Sequence, residues 1–120
     1  MTKILSADDS ISIRQMVEFT LKGAGYEIDQ AEDGKQALEM AMSGTYDLVL
    51  SDVNMPIIDG ITLVTELRKS EQYKYTPIIL LTTESAKDMK MKGKEAGATG
   101  WIVKPFNPTQ LVDTIKRVLN

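Results

Sequence analysis

The side chains of this sequence best suited to metal and phosphoryl chemistry stand where apolar runs end. Asp52 closes the run Leu48-Val49-Leu50-Ser51, and Asp8 and Asp9 follow Ile4-Leu5-Ser6-Ala7. Thr82 closes Ile78-Ile79-Leu80-Leu81, and Lys104 closes Trp101-Ile102-Val103. If these ends meet, three carboxylates crowd together; at about 5 Å and an effective dielectric near 20, each pair costs roughly 3 kcal/mol. A fold that gathers them needs a compensating cation. The chain has no Cys and no His, so disulfides, thiolate or imidazole metal sites and a His-based triad are excluded. The remaining metals are hard ones bound through oxygen: Mg²⁺, Mn²⁺ or Ca²⁺. Asp9 and Asp52 are candidate direct ligands, Asp8 a candidate holder of a metal-bound water, and the backbone carbonyl of Asn54 a further donor. Such a site suits phosphoryl transfer. The metal and Lys104 neutralise the equatorial oxygens, Thr82 donates a hydrogen bond, and a carboxylate acts as nucleophile to give an aspartyl phosphate. Asp52, central among the ends, is the candidate nucleophile. Each element alone has an ordinary reading: an Asp-Asp pair caps helices, a Lys before Pro lies on surfaces, and Thr is a strand former. The joint placement carries the argument.

For these ends to meet, the runs must be strands of one parallel sheet, and the stretches between them read as helices. Ile13, Met16, Val17, Thr20, Leu21 and Ala24 keep a helical face after Asp9 or Ser10, with Gly25 as the stop. Tyr26 to Ala31 reads as a strand near the sheet edge. Asp33-Gly34 makes a turn, and Ala37, Leu38 and Ala41 begin a second helical face, ended by Gly44. Pro56 forbids continuation of the central strand beyond Asp52. Asp59-Gly60 opens a third helix with Ile61, Leu63, Val64 and Leu67 inward. Ser70 to Thr76 has no period and reads as a loop before the strand Pro77–Thr82. Ser85 to Ala96 is a weaker helix: its inner side offers only Ala86, Met89 and Ala96, and Gly93 costs it about 1 kcal/mol relative to Ala. After the strand Gly100–Lys104, Asn107, Pro108 and Gln110 make a capped helix start, with Leu111, Ile115, Val118 and Leu119 inward. Alternating strands and helices predict one doubly wound α/β domain over residues 1–120, a five-stranded parallel sheet with helices on both faces. The flavodoxin-like order 2-1-3-4-5 places the first, third, fourth and fifth strand ends side by side.

Composition narrows the class. A chain of 120 residues supports one core. No apolar run approaches the roughly 20 residues that cross a bilayer, and the opening residues are no signal peptide. The net charge of −3 argues against a nucleic-acid surface. These features fit a cytoplasmic protein with no membrane or nucleic-acid partner, and a monomer is the expected state.

Taken together, Asp8-Asp9, Asp52 with Met55-Pro56 and Asp59-Gly60 following, Thr82, and Lys104-Pro105-Phe106 resemble the receiver domain of two-component response regulators along essentially the whole chain. The strand order 2-1-3-4-5 is itself known from that family, so it enters with the resemblance. The resemblance implies that Asp52 takes a phosphoryl group from a histidine kinase, that the acidic pair binds Mg²⁺, and that Thr82 and Lys104 contact the phosphoryl group. CheY-type chemotaxis regulators are the most similar subgroup. They share Asn54 and Glu84, positions that tune autodephosphorylation, and they imply a stand-alone receiver. Its output would be binding to a flagellar motor switch protein through the fourth helix, fifth strand and fifth helix. Lys87, Lys90, Lys92 and Lys94 make that fourth helix basic. Some positions depart from the family pattern: Ser6 replaces an apolar strand residue, Val53 an aromatic, Thr83 a smaller residue, and Trp101 the usual Tyr or Phe switch. Two alternatives stand beside this reading. One is a phosphorelay intermediate that passes the group to a histidine phosphotransfer protein. The other is an aspartyl-phosphate phosphatase, against which Asn54 replaces the expected general acid.

Overall fold

A computed structural model describes residues 1–83 and 87–119, with the backbone alone at 87–89. Five strands, β1 (Lys3–Ala7), β2 (Glu27–Ala31), β3 (Leu48–Asp52), β4 (Ile78–Thr82) and β5 (Gly100–Val103), alternate with α1 (Ile11–Gly23), α2 (Gly34–Ser43), α3 (Gly60–Arg68), α4 (Lys87–Ala96) and α5 (Pro108–Leu119). The sheet is parallel throughout, in the order β2-β1-β3-β4-β5. β2 and β5 are therefore the edges.

Side chains of a strand alternate between faces, so each central strand feeds two cores. Val49 and Leu80 pack with α2 and α3 through Ala37, Ala41, Leu63, Val64 and Leu67. Leu48, Leu50, Ile79 and Leu81 pack with α1 and α5 through Val17, Leu21, Leu111 and Ile115. Coverage on both faces explains why β3 and β4 are continuously apolar rather than alternating.

Side-chain caps hold the helix starts, and Asp33, expected in a turn, proves to be the cap of α2. Ser10, Asp33 and Asp59 side chains accept from the backbone N–H three residues on. Asn107 and Gln110 form a reciprocal capping box ahead of Pro108. α1 ends sooner than its periodicity suggests: Ala24 is an exposed cap residue, and Gly25 takes φ +93°, the left-handed geometry of a helix stop. Tyr26, Pro77 and Lys104 flank their strands rather than belonging to them. The start of the fourth helix at Ser85 and the inward placements of Ala86 and Met89 lie outside the described residues.

One segment differs in kind. Ser70–Thr76 is not a plain loop, because Glu71–Tyr73 forms a 3-10 turn that drives Tyr73 into the core. Its hydroxyl donates to the Ala41 carbonyl (2.6 Å), one of the orphan acceptors at the end of α2. Arg68, the last residue of α3, ties down the same region. Its guanidinium donates to the carbonyls of Tyr73 (2.7 Å), Thr76 (2.7 Å) and Gly97 (2.9 Å). Tyr73→Phe keeps the ring and strands the Ala41 carbonyl. The expected loss is about 1–3 kcal/mol in urea unfolding; a midpoint equal to the wild type's would show that this bond contributes nothing.

Candidate functional site

The strand ends converge as the order requires. Asp8 follows β1 and is 1% exposed. Its Oδ1 accepts from the Ser10 N–H (2.9 Å), and its backbone carbonyl accepts from Arg14 of α1 (2.6 Å). The one carboxylate that heads α1 is thus fixed at both ends, while the next, Asp9, is left exposed. Asp52 ends β3 and is 6% exposed. One carboxylate oxygen from each of Asp8, Asp9 and Asp52 lies within 4.8 Å of the others.

Lys104, one residue beyond β5, reaches into this cluster. Its backbone N–H donates to the Thr82 carbonyl (2.7 Å), which extends the β4–β5 ladder past the strand end. Its ammonium stands 3.1 Å from Asp8 Oδ2 and 3.4 Å from Asp52 Oδ1. The bond to Pro105 is cis. Sequence reasoning set Lys104 and Thr82 on one side of Asp52 and the acidic pair on the other; the ammonium in fact spans both sides. Side-chain reach across adjacent strand ends is not visible in spacing, so nothing in the sequence signalled this.

Burial pushes the Asp52 carboxyl above its ordinary value, and the Asp8 charge adds to that; Lys104 and the Asn54 N–H pull the other way. The cluster holds three carboxylates against one ammonium, leaving an excess charge that matches a single divalent cation. The donors are all hard oxygens. Their closeness and partial exposure suit Mg²⁺, which takes one or two carboxylates and keeps several waters.

The other predicted residues fall into place around this centre. Thr82 is buried at the end of β4, level with Val103 of β5. Asn54 is exposed in the loop after β3. Trp101 is half-buried on β5, opposite Leu80, with the Lys90 ammonium 5.4 Å from its ring centre. A cavity of about 10 Å³, roughly one water, lies between Thr82, Val53, Leu80, Gly93 and Trp101. Glu84 lies outside the described residues. Sequence reasoning missed Arg14, and it read Gly34 only as a turn residue and Gly60 only as a helix opener.

Comparisons with known proteins agree with this geometry. The family model of the response regulator receiver domain matches residues 4–116. The chemotaxis response regulator CheY4 of Vibrio cholerae superposes with a TM-score of 0.95 at 53% identity, over 98% of both chains. The response regulator TrrA of Thermotoga maritima, solved with Mg²⁺ and BeF, gives 0.88 at 40% identity, over 98% of this chain and 99% of that one. The transcriptional regulatory protein ResD of Bacillus subtilis is 40% identical over 118 residues, 98% of this chain but 48% of its own length. This chain spans about half the length of the curated relatives it matches. Among the described residues, no helix is long and apolar enough to cross a membrane.

Proposed function

The chain belongs to the response regulator receiver family, and from that premise we propose that it accepts a phosphoryl group on Asp52 from a phosphohistidine kinase and signals by binding a protein target. The observation that carries this reading is the position of the Lys104 ammonium, within salt-bridge reach of both Asp8 and Asp52 at the mouth of the acidic cluster. An Asp52 oxygen attacks phosphorus, the P–N bond to the donor histidine breaks, and the histidine nitrogen leaves with the bonding pair. Lys104 follows the charge that develops on the transferred oxygens, and Thr82 supplies a hydroxyl donor from the adjacent strand end. Mg²⁺, held by Asp8, Asp9, Asp52 and the Asn54 carbonyl, would supply charge neutralisation at those oxygens. Asn54 and Glu84 tune the lifetime of the acyl phosphate.

A chemotaxis-type output is favoured by the likeness to CheY4, which covers 98% of both chains. The domain then acts as a cytoplasmic, monomeric receiver. The contact surface is α4, β5 and α5, and the partner is a flagellar motor switch protein. Trp101 is the switch on that surface: when Thr82 turns to a phosphoryl oxygen, the indole moves toward the space beneath Gly93. A phosphorelay role is the second reading. It is supported by the receiver domain of the Pseudomonas aeruginosa sensor histidine kinase PA1611, which is similar at 29% identity and a TM-score of 0.91.

One experiment tests the core of this. A small acyl phosphodonor with Mg²⁺ should add a single base-labile phosphoryl group, and Trp101 emission should shift to shorter wavelength with reduced acrylamide quenching. In Thr82→Ala the label should remain and the shift should shrink. Labelling at an equal rate in EDTA, or label that survives base, would sink the proposal.

A further inference from the structure

The loop that carries Asn54 is gripped from outside the acidic cluster. Ile57 sits at φ +73°, in the left-handed region that a β-branched residue rarely enters. The Ile58 N–H donates to the Pro56 carbonyl (2.9 Å), so Ile57 is the centre of a tight three-residue turn, the strained form of that turn. Its side chain is 73% exposed, so packing of that side chain does not hold it there. Two glycines do. At Gly34, the first residue of α2, an added Cβ would run into the Ile58 carbonyl oxygen and lie 2.9 Å from the Ile58 Cβ. Ile58 therefore rests directly on the start of α2. At Gly60, the first residue of α3, an added Cβ would run into the Asp52 carbonyl oxygen and lie 2.9 Å from the Val53 Cα. The Gly60 N–H also donates to the Val53 carbonyl (2.9 Å). With Met55 buried as well, the loop has fixed points on both sides of Ile57. A strained conformation persists only where its surroundings over-determine it, and these contacts are that surrounding.

We infer that the seat of Ile58 on Gly34 is a positioning device for the metal site. Through it the start of α2 sets the path of the loop, and so the aim of the Asn54 carbonyl and of Asp52, although Gly34 touches neither. The inference rests on the proposed metal site. Gly34 and Ile58 are positioning residues, and the strain at Ile57 is what the loop bears for being held in one geometry.

The test is calorimetric titration of the whole chain with Mg²⁺ alone. Gly34→Ala forces Ile58 off its seat and should weaken binding roughly tenfold, as changes beyond the ligands themselves do. Ile58→Gly loosens the same contact without a clash and should also weaken it. Ile57→Gly permits the same turn without strain, so it should raise Tm and leave Mg²⁺ affinity unchanged. Tyr73→Phe, destabilised near the amino ends of the strands, should leave affinity unchanged too, which separates positioning from mere loss of stability. Wild-type affinity in both Gly34→Ala and Ile58→Gly, or an equal loss in Tyr73→Phe, would overturn the inference. A wild-type chain that binds no Mg²⁺ would overturn the metal site beneath it.

Discussion

Replacing Asp52 with Asn is expected to abolish phosphoryl uptake and, without metal, to make the fold more stable. The first effect follows from the chemistry: an amide has no nucleophilic carboxylate oxygen. The second follows from electrostatics. Burial and the Asp8 charge push the Asp52 carboxyl above its ordinary value. The folded state therefore holds that proton more tightly than the unfolded chain does. Stability is lost as pH rises from about the ordinary carboxylate value through the raised one, and above that window the cost is constant. The Asn variant sheds its repulsion with Asp8 and Asp9 together with its attraction to Lys104. The balance is a gain of about 1–2 kcal/mol near neutral pH, roughly 3–8 °C in Tm. The gain should fade below the window, where the wild-type carboxyl is protonated. It should also narrow in Mg²⁺, which stabilises the wild type by roughly 2.7 kcal/mol at 100 times its Kd. Melting curves in EDTA and in Mg²⁺, at neutral and acid pH, check all three statements. An Asn variant that melts below the wild type in EDTA would mean that Lys104 more than offsets the repulsion.

Arg68→Ala should destabilise the chain by about 3–5 kcal/mol, roughly 10–20 °C in Tm. Hydrogen bonds from a charged donor are worth about 1.5–3 kcal/mol each and are not additive. Its guanidinium bridges carbonyls on three segments: the 3-10 turn, the entry to β4 and the end of α4. Burial disfavours the charge and lowers its pKa, and among the described residues no carboxylate pairs with it. Backbone carbonyls hold it, with the Thr99 hydroxyl at 3.4 Å. The planar fork matches several carbonyls at once, so Arg68→Lys should recover only a minor part of the loss. Full recovery by Lys would show that charge, not the fork, is what matters. Asp52 lies at the other ends of the strands, so the folded fraction of either variant should still take up one phosphoryl group.

The parts of this molecule legible in the sequence are those set by local pattern. β3 announces itself by a continuous apolar run stopped by Asp52 and Pro56, and α5 by Asn107, Pro108 and Gln110. Once strands alternate with helices, parallel geometry puts Asp8, Asp52, Thr82 and Lys104 on one edge. What stayed hidden depends on contacts between elements distant in sequence. Tyr73 sits in a polar stretch, and its burial is set by Ala41, 32 residues away. Arg68 reads as a solvated end of α3 until its partners near Thr76 and Gly97 are in place. Gly34 looks like an ordinary turn residue and Gly60 like a helix opener, since a close approach of backbones leaves no trace in composition. Only the fold shows that the Lys104 side chain reaches Asp8 as well as Asp52.

The two edges of the sheet bear on how this protein behaves in a crowd. A sheet whose inner strands are apolar on both faces invites neighbouring copies to add strands at its rims. β2 meets that invitation with Glu27 and Asp29, the latter engaged by Lys3 and by the Tyr46 hydroxyl. β5 is only four residues long and runs into Pro105, which has no N–H to offer a further ladder. One rim carries charged side chains and the other offers a ladder only four residues long. A templated cross-β assembly would have to begin by unfolding one of them, so the folded chain should resist seeding by its own aggregates.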